Sequence, residues 1–150
     1  MDGSKEANEA AKRVKDLLQP NTITKIVAFH SINDRILPKI ASFAVPMPYA
    51  GAEMNVNGSP ERIKAEYRMI GETILDKTEK LFAKDDKLIE TRLIEDEDPD
   101  EYILRAVKDE GFDLVALGSR GDTSKLKEIL MGSVAKKVFD EADCDVLVVR

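Results

Sequence analysis

Apolar positions after Ser4 fall at Ala7, Ala10, Ala11, Val14, Leu17 and Leu18, a three-and-four spacing that predicts an amphipathic helix with Ser4 as its N-cap. Pro20-Asn21 ends that stripe, and the β-branched and apolar run from Thr24 to Ile32 predicts a buried strand. The stretch from Asn33 to Asn57 holds Pro38, Pro46, Pro48 and Gly51, which oppose continuous regular structure, so a long loop is expected. Ser59-Pro60-Glu61 then supplies start signals for a second helix, with Ile63, Tyr67, Ile70, Ile74 and Leu81 as its inward stripe and an end near Lys84-Asp85-Asp86.

The later part repeats this alternation. Leu88 to Ile94 reads as a strand, and Asp98-Pro99-Asp100-Glu101 as the capped start of a helix that turns Tyr102, Ile103, Ala106 and Val107 inward and closes at Gly111. Phe112 to Leu117 predicts a strand ending at Gly118. A loop to Met131 follows, with a short helical turn at Leu126 to Leu130. A helix from about Ser133 to Ala142 and a final strand, Val146 to Val149, complete the chain. The order α-β-α-β-α-β-α-β predicts an α/β fold, a single-domain three-layer sandwich in which helices cover both faces of a parallel sheet.

Composition narrows the function classes. Hydrophobic residues at 43% and charged residues at 35% suit a soluble globular protein. A net charge of -6 with a pI of about 4.9 offers no broad positive field for a nucleic-acid backbone or an anionic membrane. One cysteine and one histidine provide neither an internal disulfide nor a structural zinc site. No apolar run approaches a bilayer span, and a cytoplasmic location is expected.

Chemistry concentrates between the third strand and the last helix. Gly118, Gly121 and Gly132-Ser133 flank a strand end and a helix start, where glycine lets backbone N–H groups approach an anion and the helix's free amides add donors. The spacing matches neither the Walker loop nor the dinucleotide glycine fingerprint. It resembles the signature of the ATP-binding branch of the universal stress protein family, Gly-x2-Gly-x9-Gly-Ser/Thr. Here it reads Gly118-x2-Gly121-x10-Gly132-Ser133, one residue longer in the second spacer. Asp2-Gly3-Ser4, His30-Ser31, Asp98-Pro99 and Phe112 to Val115 are also similar to that family, while Asp145 stands where the family usually has proline.

The resemblance implies a five-stranded sheet of order 3-2-1-4-5 and an ATP site, with Mg2+ accompanying the nucleotide. Asp2, Ser31, Gly118, Arg120, Gly121, Gly132, Ser133 and Val134 would line that site. It further implies a homodimer formed through the C-terminal strand Val146 to Val149, and a stress-response or regulatory protein that binds rather than catalyses. A slow ATPase using the same pocket and a nucleotide-free dimeric interaction module are the alternatives. The resemblance also implies a leading central strand of about six apolar residues, of which Met1 alone matches. Removing a central strand would leave two facing rows of unpaired backbone groups, so an altered sheet or a borrowed strand is expected.

Each candidate has a plainer structural role beside it. Arg120 and Lys125 could pair with phosphates or simply be solvated. Asp2 could meet a ribose hydroxyl or a Mg2+-bound phosphate, or cap the first helix. His30 is expected to be a satisfied, half-buried imidazole at a strand end, and Cys144 a small packing residue. The acidic run Glu95 to Asp98 is expected to serve solubility and capping.

Overall fold

The computed structural model describes residues 1–17, 25–32, 60–83, 89–119 and 131–150. The elements are α1 (Lys5–Leu17), β1 (Ile26–Ile32), α2 (Pro60–Ala83), β2 (Ile89–Glu95), α3 (Pro99–Glu110), β3 (Leu114–Gly118), α4 (Ser133–Glu141) and β4 (Asp145–Val149). They alternate in the expected α/β order, and every described strand pair is parallel. The expected loop over 33–57 and the helical turn over 126–130 lie outside the described residues.

The sheet is split. β1 pairs with β2 from Ile26↔Ile89 to Ile32↔Glu95, and β3 pairs with β4 from Leu114↔Asp145 to Gly118↔Val149. These are two separate two-stranded sheets, and among the described residues no strand joins β1 to β3. The expectation of an altered sheet is met in this form. β1, β2 and β3 are mostly half-buried.

Strand alternation still sorts the helices onto two faces. Phe29 of β1 meets Tyr102 of α3, with ring centroids 4.6 Å apart, while the next residue, His30, lies against Gly71 of α2 on the opposite side. Gly118 of β3 likewise faces α1, whereas Val115 and Leu117 pack on the cluster of Ile103, Val107 and Val138 from α3 and α4. Helices α1 and α2 therefore roof the sheets and α3 and α4 floor them. The best packed region is this floor, where Val138 is completely buried.

Most predicted helix faces are borne out, and Tyr102, Ile103, Ala106 and Val107 are all buried. Gly111 ends α3 in the left-handed region at φ 68°, its N–H donating to the Val107 carbonyl. Three details differ. Leu17 is exposed, while α1 buries Ala10 and Ala11. In α2 the fully buried row includes Leu75, Thr78 and Phe82, with Leu81 turned partly outward. The Asp98 side chain makes no capping bond; Pro99, which has a preset φ and no N–H, starts α3 instead.

The acidic run is paired rather than merely solvated. Glu95 meets Lys64 and Arg68 of α2, Asp96 meets Lys64, and Glu97 takes both Nε and Nη2 of Arg105. A second network joins Lys25, Glu90, Arg92 and Glu110 at the opposite end of β1 and β2. Among the described residues no helix is long and apolar enough to cross a membrane.

Candidate functional site

A cleft of about 900 Å3 runs between β1 and β3, and its carboxyl-end mouth gathers Asp2, Ser31, Gly118, Ser119, Gly132 and Ser133. The carboxyl edge of an open parallel sheet, where neighbouring strands part, is the usual ligand position in such folds. Residues far apart in sequence meet here because each follows a strand end or opens a helix.

The first turn of the chain is locally organised. Gly3 adopts φ 81°, a region that disfavours side chains, and lets Asp2 Oδ1 accept the Ser4 N–H at 3.0 Å. Ser4 Oγ accepts the Ala7 N–H at 3.1 Å, the expected cap of α1. Asn8 Nδ2 braces the turn by donating to the Gly3 and Ser4 carbonyls. The exposed Asp2 carboxylate is thereby carried at the mouth while part of it serves the turn.

On the β1 side, the Met1 amino group donates to the Phe29 carbonyl, and His30 Nδ1 lies within hydrogen-bond reach of the Met1 carbonyl. Burial lowers the His30 pKa below its ordinary value against the raising effect of that bond, and burial lowers the Met1 amine likewise. The histidine is therefore a satisfied, half-buried group. Ser31 Oγ donates to the Glu97 carbonyl at 2.8 Å, which ties the end of β1 to the turn that opens α3.

On the β3 side, Gly118 is in close packing with α1. A Cβ there would lie 2.8 Å from the Ala7 nitrogen and the Glu6 carbonyl carbon. Ser119, which sequence reasoning did not single out, is the hub of this half. It is almost wholly buried; its N–H donates to the Val149 carbonyl at 2.7 Å and its own carbonyl accepts the Gly132 N–H at 2.7 Å. The available signal was its position, immediately after the glycine that ends a buried strand.

The Ser119–Gly132 bond holds the start of α4 against the end of β3. Gly132 is the N-cap, Ser133 is exposed, and Val134 packs its side chain on the floor cluster while its amide belongs to the helix's first turn. First-turn amides have no carbonyl four residues back within the helix and concentrate partial positive charge. Asp2, Ser31, Gly118, Gly132, Ser133 and Val134 thus belong to one neighbourhood; Arg120 and Gly121 lie outside the described residues. Among the described residues no three His, Cys, Asp or Glu side chains cluster as a metal site.

The fold defines an α/β protein with a cleft that opens at the carboxyl ends of parallel strands. The chain belongs to the universal stress protein family, whose model matches residues 1–150. It is 30% identical over 153 residues to universal stress protein MJ0577 of Methanocaldococcus jannaschii, an alignment that covers 99% of this chain and 90% of that protein. The solved MJ0577 structure superposes with a TM-score of 0.76 at 25% identity, covering 99% of this chain and 90% of that one. Universal stress protein UspA from Lactobacillus plantarum superposes with a TM-score of 0.71 at 19% identity, covering 100% and 93%. A universal stress protein solved in complex with cAMP shares the fold at a TM-score of 0.53 and 19% identity, covering 100% and 91%.

Proposed function

We propose that this protein is an ATP-binding stress-response regulator whose nucleotide occupies the rim between β1 and β3. The observation that carries the reading is the Ser119–Gly132 clasp, which holds the first turn of α4 beside the carboxyl end of β3. Phosphate oxygens are suited to the Ser133 hydroxyl and the amides of Ser133 and Val134, where hydrogen bonding and the helix's positive end act together. Gly118, Arg120, Gly121 and Gly132 complete the loop in this reading. Asp2 and Ser31 stand on the other lip, toward the nucleoside end.

The donor set fits a nucleotide better than a free metal: it consists of amides and hydroxyls, with Asp2 as the carboxylate at the mouth. Mg2+ would arrive with the triphosphate and offset its charge. The cAMP named for one structural neighbour is an adenine nucleotide, in keeping with this class of ligand. Binding rather than turnover is the proposed activity, exercised in the cytoplasm. The outer edge of β4, Val146 to Val149, is the proposed homodimer contact, since among the described residues β4 pairs on one side only and an apolar edge favours pairing with a second copy.

Equilibrium dialysis of the purified protein with radiolabelled ATP, with and without Mg2+, tests the reading. Saturable binding is expected to weaken at least tenfold in Ser133→Asp, which adds negative charge at the first turn. No saturable binding in the unaltered protein would overturn it.

A further inference from the structure

Among the described residues three polar side chains are buried, those of Ser4, Thr78 and Ser119. Buried polar groups in folded proteins nearly always hold a hydrogen bond, and two of these three do. Ser4 Oγ accepts the Ala7 N–H at 3.1 Å, and Thr78 Oγ1 donates to the Ile74 carbonyl at 2.9 Å. Ser119 is the exception. It is 1% exposed, and its backbone groups are committed to the Val149 carbonyl and the Gly132 N–H, yet among the described residues its hydroxyl has no partner. A buried hydroxyl without a partner costs stability, so one kept at a cleft wall is suited to a partner from outside the fold.

The position of Ser119 defines the chemistry of that partner. Val115 and Leu117 of β3 turn toward the floor cluster while Gly118 faces α1, so alternation carries the Ser119 side chain to the floor side, where α4 begins. Ser119, Gly132, Ser133 and Val134 all line the cleft. The first helical bond of α4 runs from the Lys136 N–H to the Gly132 carbonyl, which leaves the amides of Ser133, Val134 and Ala135 without an intrahelical acceptor. Gly132 has no side chain with which to cap them. An unpaired hydroxyl thus stands beside a helix turn whose donors are uncapped and whose partial charge is positive. A group that serves both must bring several acceptor lone pairs and negative charge. Water brings no charge, whereas a phosphoryl group brings both.

We propose that Ser119 is a phosphate-positioning residue: its Oγ donates to a phosphoryl oxygen of the nucleotide at the start of α4, beside the Ser133 hydroxyl and the Ser133 and Val134 amides. The inference rests on the reading of the rim as a nucleotide site and adds a residue that the glycine pattern does not contain. The hydroxyl is desolvated before the ligand arrives, so the new bond replaces none to water and falls among the stronger, charge-assisted ones. Its place is also fixed in advance, because the same residue's N–H holds β4 and its carbonyl holds α4. The free protein carries the cost of the unpaired group. Removing the hydroxyl therefore weakens binding while leaving the free protein as stable as before or more so, the reverse of what a serine that serves the fold would show.

The test compares the full chain with Ser119→Ala and with the similarly sized Ser119→Cys, whose thiol is a weak donor. Equilibrium dialysis with radiolabelled ATP and Mg2+ gives the affinity, and inorganic tripolyphosphate as competitor isolates the phosphate end. Thermal melts without ligand report on the fold. In Ser119→Ala, ATP binding and tripolyphosphate competition are both expected to weaken about tenfold or more. The ligand-free Tm of that variant is expected to stay within about 2 °C of the unaltered value or to rise. Ser119→Cys is expected to lose ATP affinity as well. Unchanged ATP affinity in Ser119→Ala would overturn the proposal, as would a larger fall in its ligand-free Tm, which would assign the hydroxyl to the fold. Full affinity in Ser119→Cys would make shape rather than donation the cause and overturn it too. So would tripolyphosphate competition that survives intact in Ser119→Ala, since the contact would then lie toward the nucleoside. Each of these results leaves ATP binding by the unaltered protein in place and spares the reading of the rim; absence of that binding would overturn both.

Discussion

Gly118, the last residue of β3, lies beneath the first turn of α1 so closely that a Cβ would stand 2.8 Å from the Ala7 nitrogen. The motif glycine therefore sets how near the helix comes to the strand end, quite apart from any ligand. Gly118→Ala should destabilise the fold by about 1–3 kcal/mol, because backbone rather than a flexible side-chain tip must give way. Urea unfolding checks this; an unchanged midpoint would show that α1 does not rest on β3.

Gly111 makes the contrasting case. It has φ +68° and nothing within 4 Å of a built Cβ, so its requirement is conformational. Gly111→Ala should cost about 1 kcal/mol through the left-handed backbone. Gly111→Asn should cost less, and the same unfolding measurement ranks the two variants.

Val138 is fully buried between α3 and β4. Its truncation to Ala should cost about 1.5–3 kcal/mol, the transfer term together with a small cavity. Truncation of the exposed Phe139 beside it should change stability by no more than about 0.5 kcal/mol. Thermal melts of the pair would expose a wrong helix rotation at once.

The bidentate bond of Arg92 and the contact with Lys25 pull the Glu110 carboxyl down to about 2. A depressed folded-state pKa means that the stabilisation is complete above the ordinary carboxylate pKa of 4.5 and is lost as pH falls from there toward about 2. Glu110→Gln should therefore flatten the acid limb of the stability profile, measured by urea midpoints across that range. An acid limb identical to that of the unaltered protein would remove Glu110 from the account.

His30 works in a higher window. Burial lowers its pKa below 6.5, so the folded state favours the neutral ring and stability should fall as pH drops below 6.5, where the unfolded chain takes up the proton first. His30→Gln should remove that component of the decline. Titrating the imidazole by NMR gives the direct check, since a midpoint at or above 6.5 would reverse the sign.

The amphipathic stripes and turn chemistry were legible locally. The helix that buries Tyr102, Ile103, Ala106 and Val107 could be read from spacing, and its end from Gly111, because a helix's inward face and a left-handed stop depend on neighbours a few residues away. Ser119 and the true inward row of α2 were less legible, since the first depends on Val149 and Gly132 across the sheet and the second on how close Gly71 lets the helix come to His30 and Leu93. The glycine and serine pattern identified a rim, and the paired start of α4 with β3 gave it geometry.

By itself the amino-acid order determined the alternating elements, their polarity and the family, because periodicity and glycine spacing are written in short stretches of chain. Tertiary structure decided that the described strands pair as β1 with β2 and β3 with β4, that Gly118 lies against α1, and that the Met1 amino group meets the Phe29 carbonyl. Those outcomes depend on hydrogen bonds and close approaches between residues distant in sequence, which no short stretch of chain contains.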